Sequence, residues 1–401
     1  MKEKLIYRAK EIEKNIIEWR RHLHAWPELS FKEEETSKYI ASLLTSMGYE
    51  HIHIGTAGRP TGVVAELNSD HSGLCVALRA DIDALPITEK TGLSFASKNE
   101  GVMHACGHDA HIAILLGAAQ LLSEIREELP GKVKLIFQPS EESADYIQGA
   151  RAVIDEHALD GVDAIFGLHV WQPTPSGVLA WKEGSIMACS DRWKLTIRGK
   201  GGHGASPHQT NDPTIAAAHF IAMAQSFVSR ELDPLKTAVV SVGEMKAGNA
   251  FNVIPDYVSL IGTARAFEPE VREAMAGSLE RVAEHCCAAL RCKAEFIYER
   301  NLPPTVNDPE MTRFGVKAAT LVFGEKNVME TQPTMGGEDF SYYLDKVPGA
   351  FFFLGIGNKE KGFTYPHHHP RFMVDEDVLS AGSAFEAILA FNYLNSCSKK
   401  L

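Results

Sequence analysis

The chain has 401 residues, 45% hydrophobic and 23% charged, a balance that excludes disorder, collagen and coiled coil as overall descriptions. With 40 Lys and Arg against 52 Asp and Glu, the net charge of −12 argues against general affinity for nucleic acid or an anionic membrane. The length suggests two or three domains, or one large domain carrying an insertion.

The first 17 residues alternate charged with apolar side chains (Lys2, Glu3, Lys4, Leu5, Ile6) and contain no continuous apolar segment of the kind a signal peptide needs. Nothing approaches the ~18 uninterrupted apolar residues of a membrane span. Seven scattered cysteines form no disulfide framework, so the cytoplasm is the expected compartment.

Residues 19–47 read as helix, turn and helix around Pro27. Four apolar runs follow, Gly62–Leu67, Leu74–Leu78, Val133–Phe137 and Ala164–His169, with the unbroken Val/Ile/Leu content of strands buried on both faces. Helical patterns over Ala110–Glu128 and Gly149–Glu156 separate the later ones, which predicts an α/β domain with a mostly parallel sheet. The middle of the chain changes rhythm. Strands Asp191–Arg198, Thr237–Met245, Tyr257–Ala266 and Lys293–Tyr298 interleave with helices Asp212–Arg230 and Pro269–Leu290. That β-α-β-β-α-β order predicts an inserted α+β, ferredoxin-like unit. After it come helix Glu310–Phe323, strand Ala350–Gly355 and a final helix over Asp375–Tyr393. The expected domains are 1–187 and 304–401 for the α/β part and 188–303 for the insertion.

The 17 histidines direct attention to the chemistry. His71, His157, His219 and His285 stand alone and read as surface or structural groups; His51 and His53 alternate on the solvent side of a strand; His22 and His24 sit near a helix end. The stretch MHACGHDAH differs, placing His104, Cys106, His108, Asp109 and His111 within eight residues. Imidazole, thiolate and carboxylate are the ligand types of zinc and its neighbours. Gly107 lets the backbone turn between two such side chains, and Asp109 stands where it could cap the following helix. The paired Cys or His spacings of a structural zinc site are absent, which favours a functional metal. A second group, His367-His368-His369, lies far downstream, and at most one or two of its rings can face a common point.

Active sites of open α/β sheets lie beyond the carboxyl ends of the strands. There the sequence offers Asp81 and Asp83, then Glu141 and Glu142, then His169. Adjacent glutamates suit a metal site, because one ligates while its neighbour takes a proton from activated water. The run Gly199-Lys200-Gly201-Gly202-His203-Gly204 satisfies a dinucleotide fingerprint but lacks the helix at its last glycine and the later acidic residue. It reads instead as a loop presenting His203. Arg265, after Gly248–Asp256, offers a bidentate grip for a carboxylate.

RRHLHAWPELSF, LRADIDALP, HACGHDAH, QPSEE, GLHVWQP, GKGGHGASPHQTNDP, NVIPD, MGGEDFSYY and HHHPRF, in that order over about Trp19 to Asp377, resemble the metal-dependent amidohydrolase and aminoacylase family of metallopeptidases. Its members include hippurate hydrolase, N-acyl-amino-acid hydrolases, related carboxypeptidases and indole-acetyl-amino-acid hydrolases. The resemblance implies a zinc-exopeptidase-like catalytic domain with two divalent ions, zinc or manganese, with cobalt or nickel as further candidates. It also implies an inserted lid domain through which the chain forms a homodimer or higher homo-oligomer. Cys106, His108, Glu142, His169 and His368 match the metal ligands, with His367 an alternative to His368. Glu141 matches the general base. His203 matches a lid histidine that stabilises the oxyanion, and Asn252 and Arg265 match residues that bind the substrate's carboxylate end. Asp83 matches an aspartate that orients a ligand, whereas Asp81 stands where more distant relatives carry a ligand histidine. The expected reaction is hydrolysis of an N-acyl amino acid or small peptide-like amide, with no nucleic-acid or membrane partner. The rival readings are a carboxypeptidase using the same site, a non-catalytic metal-binding protein and a cysteine hydrolase with Cys106 as nucleophile.

Overall fold

The architecture is taken from a computed structural model that describes residues 1–143 and 148–396. The chain divides into two units, one comprising Met1–Ile186, Val306–Gln332 and Tyr342–Leu401, the other Met187–Thr305 and Pro333–Ser341.

The first unit is built on an eight-stranded sheet. Its strands include β1 (Glu50–Thr56), β2 (Arg59–Leu67), β3 (Cys75–Asp81), β4 (Lys132–Gln138), β5 (Ala164–Pro175) and β6 (Leu179–Trp181). The spatial order is β1-β2-β4-β3-β5, then Gly349–Gly357, β6 and Val328–Glu330. The four central strands β4, β3, β5 and Gly349–Gly357 run parallel, whereas β1 and β2 are antiparallel additions at one edge. β3 is buried at every position, which explains its unbroken apolar run: it lies in the middle of the sheet between β4 and β5, with helices His108–Glu124 and Leu379–Leu394 packed on it.

Helix His108–Glu124 is apolar around nearly its whole circumference because it lies inside the unit, packed against the equally apolar helix Leu379–Leu394. The two approach so closely at Gly117 that a Cβ there would sit 2.2 Å from Ser383 Oγ. Truncating a fully buried leucine on this helix, such as Leu115, would cost about 2–5 kcal/mol. No helix among the described residues is long and apolar enough to cross a membrane.

In the second unit four antiparallel strands stand in the order Ala238–Ala247, Tyr257–Ala266, Ser190–Arg198, Lys293–Leu302. Helices Pro213–Ser226 and Pro269–Ala289 complete the β-α-β-β-α-β order. Alternate residues of Ser190–Arg198 turn inward, and Trp193, Leu195 and Ile197 join Phe220, Met275 and Leu279 in a separate core. Asp212 caps the first helix, accepting from Thr214 N at 2.8 Å, with Pro213 at its first turn. The segment Pro333–Ser341, carrying most of MGGEDFSYY, groups with this unit although the sequence set all of 304–401 with the α/β part.

Candidate metal centre

β3 ends at Asp81, and two residues later the Asp83 carboxylate becomes the anchor of the site. It accepts hydrogen bonds from Ser30 Oγ (2.6 Å) and from the backbone N–H groups of Glu141 (3.1 Å) and Glu142 (3.0 Å). The turn that follows β4 is thereby held by its own amides. Within it Ser140 adopts a left-handed φ of 57° and donates its N–H to the buried Glu33 at 2.9 Å. Such a conformation is costly for a non-glycine residue and persists because its surroundings hold it.

Cys106 and His108 flank Gly107, whose φ of 93° makes the turn into the helix. A Cβ there would meet Val170 Cγ2 at 2.5 Å. The helix begins at His108, two residues before the expected start, and its N-cap is Gly107 rather than Asp109. Asp109 is instead fully buried in the first turn, where it accepts from Arg20 Nε (2.7 Å) and faces His24 Nδ1 (2.8 Å). His24 is therefore a structural histidine, bonded also to Glu89 at 3.2 Å. β5 does not stop at His169 as the sequence suggested; it continues to Pro175, and His169 projects from its middle.

These segments bring Cys106, His108, Glu141, Glu142, His169 and His368 together. Ligand atoms of Cys106, His108 and His169 lie within 4.8 Å of one another, as do those of Cys106, Glu142 and His368, and those of His108, Glu141 and Glu142. Cys106 is common to the first two sets, with its Sγ 3.5 Å from His169 Nε2. His368 reaches Glu142 Oε1 at 2.9 Å, whereas His367 turns toward Cys106 Sγ (3.9 Å) and accepts from Gln172 N (3.2 Å). The sequence left the choice between the two histidines open; in the structure His368 joins the cluster's carboxylate.

Hydrogen bonds to carbonyl oxygens fix which ring nitrogens carry hydrogen. His108 Nδ1 donates to the Asp83 carbonyl at 2.8 Å and His169 Nδ1 to the Val170 carbonyl at 2.6 Å. In each neutral ring the other nitrogen, Nε2, then keeps a lone pair for a metal. His108 Nε2 is buried without a hydrogen-bond partner, 3.6 Å from Asp81 Oδ2. Burial pushes the His108 imidazole down, but the Asp81, Asp83 and Glu142 carboxylates outweigh it and raise it to about 10. Burial, with the charges of Glu142 and Glu141, holds the Cys106 thiol well above its ordinary value. Burial and the neighbouring His111 and His367 keep His169 neutral, far below the usual imidazole range. Excess carboxylate charge around an orphaned imidazole nitrogen and a buried thiol is what a bound cation would balance, so the residues fit divalent metal.

Two further residues support the site: His111, which the sequence set in the MHACGHDAH cluster without a role of its own, and Arg79, which it did not single out. His111, one turn along the helix from His108, bonds Asp81 through Nδ1 and accepts from Val170 N at 2.9 Å through Nε2, bracing the residue next to His169. Arg79, 1% exposed, donates to Asp81 (2.9 Å) and to Gln138 (2.8 Å). The i, i+3 spacing of His108 and His111 puts both on one helical face; for Arg79 the available signal was a charged residue inside a strand with no polar alternation.

The remaining predicted residues belong to the second unit. His203 pairs with Val253 in a short two-stranded ladder, and Gly204 N donates to the Asn252 carbonyl at 2.8 Å. His203 and Asn252 are exposed; His203 Nδ1 accepts from Ala205 N at 3.0 Å, which leaves Nε2 to carry the ring hydrogen. Arg265 is half-buried and donates to the Met335 carbonyl at 3.0 Å. No helix opens at Gly204, in keeping with the rejection of a dinucleotide fingerprint.

Known proteins share both sequence and fold with this chain. Thermostable carboxypeptidase 1 of Saccharolobus solfataricus is 42% identical over 395 residues, covering 98% of this chain and 99% of its own. An N-acetyl-L-cysteine deacetylase of Bacillus subtilis is 43% identical over 374 residues, 93% of this chain and 87% of its own. The crystal structure of the Bacillus subtilis YXEP protein, described as a dinuclear metal binding peptidase from the M20 family, superposes with a TM-score of 0.84 at 40% identity, covering 96% and 99% of the two chains. An α/β sheet beside which cysteine, histidine and paired glutamate side chains able to hold divalent metal come together, with these likenesses, defines a metal-dependent hydrolase of amide bonds. The profile of Peptidase family M20/M25/M40 matches residues 77–390, and the chain belongs to that family.

Proposed function

We propose that the protein hydrolyses the amide bond of N-acyl amino acids or small peptide-like amides. The observation that carries this reading is the sharing of Cys106 between two ligand sets, Cys106/His108/His169 and Cys106/Glu142/His368, with Glu141 beside both His108 and Glu142. Cys106, His108, Glu142, His169 and His368 would hold two divalent ions, zinc or manganese, with cobalt or nickel tolerated by the same donors. The chemistry such ions supply is Lewis-acid polarisation of a carbonyl and acidification of water.

The chain's own residues do the rest. Glu141 accepts the proton of the attacking water and passes it to the departing amine nitrogen, so one carboxylate serves as base and then acid. Asp83 keeps Glu141 and Glu142 in place through their amides. His203, whose exposed ring has Nε2–H as its donor, is assigned to the oxyanion of the tetrahedral intermediate. Asn252 and Arg265 are assigned to the substrate's carboxylate end, for which a guanidinium is suited. These three assignments rest on the motif match.

We further propose that the second unit is a lid through which copies of the chain associate. Its edge strand Ala238–Ala247, with the exposed Met245, Phe251 and Tyr257 nearby, supports that reading. A cytoplasmic location is supported by six described cysteines that are free and buried. The names of the relatives support both an acyl-amino-acid and a carboxypeptidase substrate. A panel of N-acyl amino acids and dipeptides, assayed after chelation and re-addition of single metals, tests the reading. Turnover of at least one N-acyl amino acid, lost on chelation and restored by zinc or manganese, is expected. Full activity in metal-free protein would overturn it, and turnover of dipeptides alone would select the carboxypeptidase reading of the same site.

A further inference from the structure

We infer that His367 is a hydrogen-bond donor to Cys106 and not a metal ligand, a positioning residue that restrains and tunes the shared thiolate. The inference rests on the reading of Cys106 as a ligand of both ions.

The backbone N–H of Gln172 can only donate, and it does so to His367 Nε2 at 3.2 Å. That nitrogen is therefore the acceptor of the ring, and in a neutral imidazole the hydrogen resides on Nδ1. Nδ1 faces Cys106 Sγ at 3.9 Å, and a thiolate sulfur there accepts. A half-turn of the ring would set a C–H against the Gln172 N–H and leave that donor unpaired.

Aromatic packing holds this orientation. The His367 ring lies 5.1 Å from Trp171 and 4.8 Å from Phe372, tilted by 30° and 35°, and stands edge-on to His169 at 5.3 Å. The next residue diverges. His368 takes a left-handed φ of 64°, donates its N–H to the Ala105 carbonyl at 2.8 Å and directs Nε2 to Glu142. Neighbouring histidines thus have different tasks because the backbone between them reverses hand. With metal bound, His368 would supply the lone pair of Nε2 that here faces Glu142, whereas His367 supplies an N–H.

A donor aimed at a thiolate draws electron density from sulfur, and it holds the sulfur between the two ligand sets. Removing such a supporting partner typically costs 10–100-fold in metal affinity.

The test uses the full-length protein loaded with Co²⁺, following the number of ions bound per chain and the sulfur-to-cobalt charge-transfer band. His367→Phe keeps the stacking surface without an N–H, His367→Leu is a second non-donor, and His367→Asn places an amide N–H where Nδ1 stood. Expected are two ions at saturation in both non-donor variants, a roughly 10–100-fold weaker affinity, and a band moved to longer wavelength. His367→Asn should return the band toward its wild-type position, and His368→Leu should bind one ion fewer. A band unmoved in both non-donor variants would overturn the inference alone. So would loss of an ion in His367→Leu with retention of both in His368→Leu. A wild-type protein with no sulfur-to-cobalt band would overturn the ligand reading of Cys106 and the inference with it.

Discussion

His108 Nδ1 donates to the backbone carbonyl of Asp83 at 2.8 Å, while the carboxylate of the same aspartate accepts the amides of Glu141 and Glu142. One residue therefore sets the tautomer of His108 and the position of the turn that carries both glutamates. The backbone half of that arrangement survives substitution and the side-chain half does not.

Asp83→Ala is accordingly expected to weaken metal binding by about 10–100-fold without exchanging the His108 tautomer. Titration with a chromophoric chelator competitor would measure it. Wild-type affinity in the variant would show that the carboxylate does not position the ligands.

Gly107 allows no side chain. Alanine there would adopt a φ of 93° and press its Cβ to 2.5 Å from Val170 Cγ2. Gly107→Ala is expected to lower stability by at least about 1–2 kcal/mol from the backbone alone, and to reduce the number of ions bound. Thermal unfolding with and without metal, together with metal content, checks both effects.

Glu33 gives the fold a pH dependence of definite sign. Burial, and then the negative charge of Asp83, push its carboxyl up to about 8. The folded state thus keeps a proton that the unfolded chain releases near 4.5, so Glu33 costs nothing at pH 4 and destabilises progressively as pH rises from about 4.5 to 8. Over that window the loss amounts to about 2–5 kcal/mol. Glu33→Gln, which can still accept from Ser140 N, should remove it. Urea unfolding of metal-free protein at pH 5 and pH 8 compares the two; parallel curves for wild type and variant would contradict the assignment.

Arg20 and Asp109 form an ion pair in which both side chains are 2% exposed or less. Removing one member of such a pair leaves a buried charge uncompensated, at about 3–5 kcal/mol. Arg20→Met is therefore expected to destabilise by that amount, less whatever His24 recovers through its own 2.8 Å contact with Asp109. Denaturant unfolding measures it.

The parts of the molecule legible in the sequence are those whose signal is local. β3, β4 and β5 stood out because burial on both faces leaves an unbroken apolar run, and Tyr257–Ala266 because burial on one face leaves alternation. HACGHD and QPSEE were legible for the same reason, since each packs its chemistry into a few consecutive residues. Glu33 escaped notice because its partner, Ser140, lies 107 positions away, and Arg20 because Asp109 lies 89 away. Asp109 looked like a helix cap because composition cannot distinguish a capping aspartate from one buried against an arginine. His367 and His368 were inseparable because the reversal of backbone hand at His368 leaves no trace in residue type.

Glu141 is assigned to move the proton and Glu142 to hold metal. The most direct measurement is kcat on an N-acyl amino acid, with metal content determined in parallel, for Glu141→Gln and Glu142→Gln. Glu141→Gln should keep both ions and lose about 10²–10⁴-fold in kcat, whereas Glu142→Gln should lose metal along with activity. Near-normal kcat in a fully metallated Glu141→Gln protein would show that Glu141 is not the base.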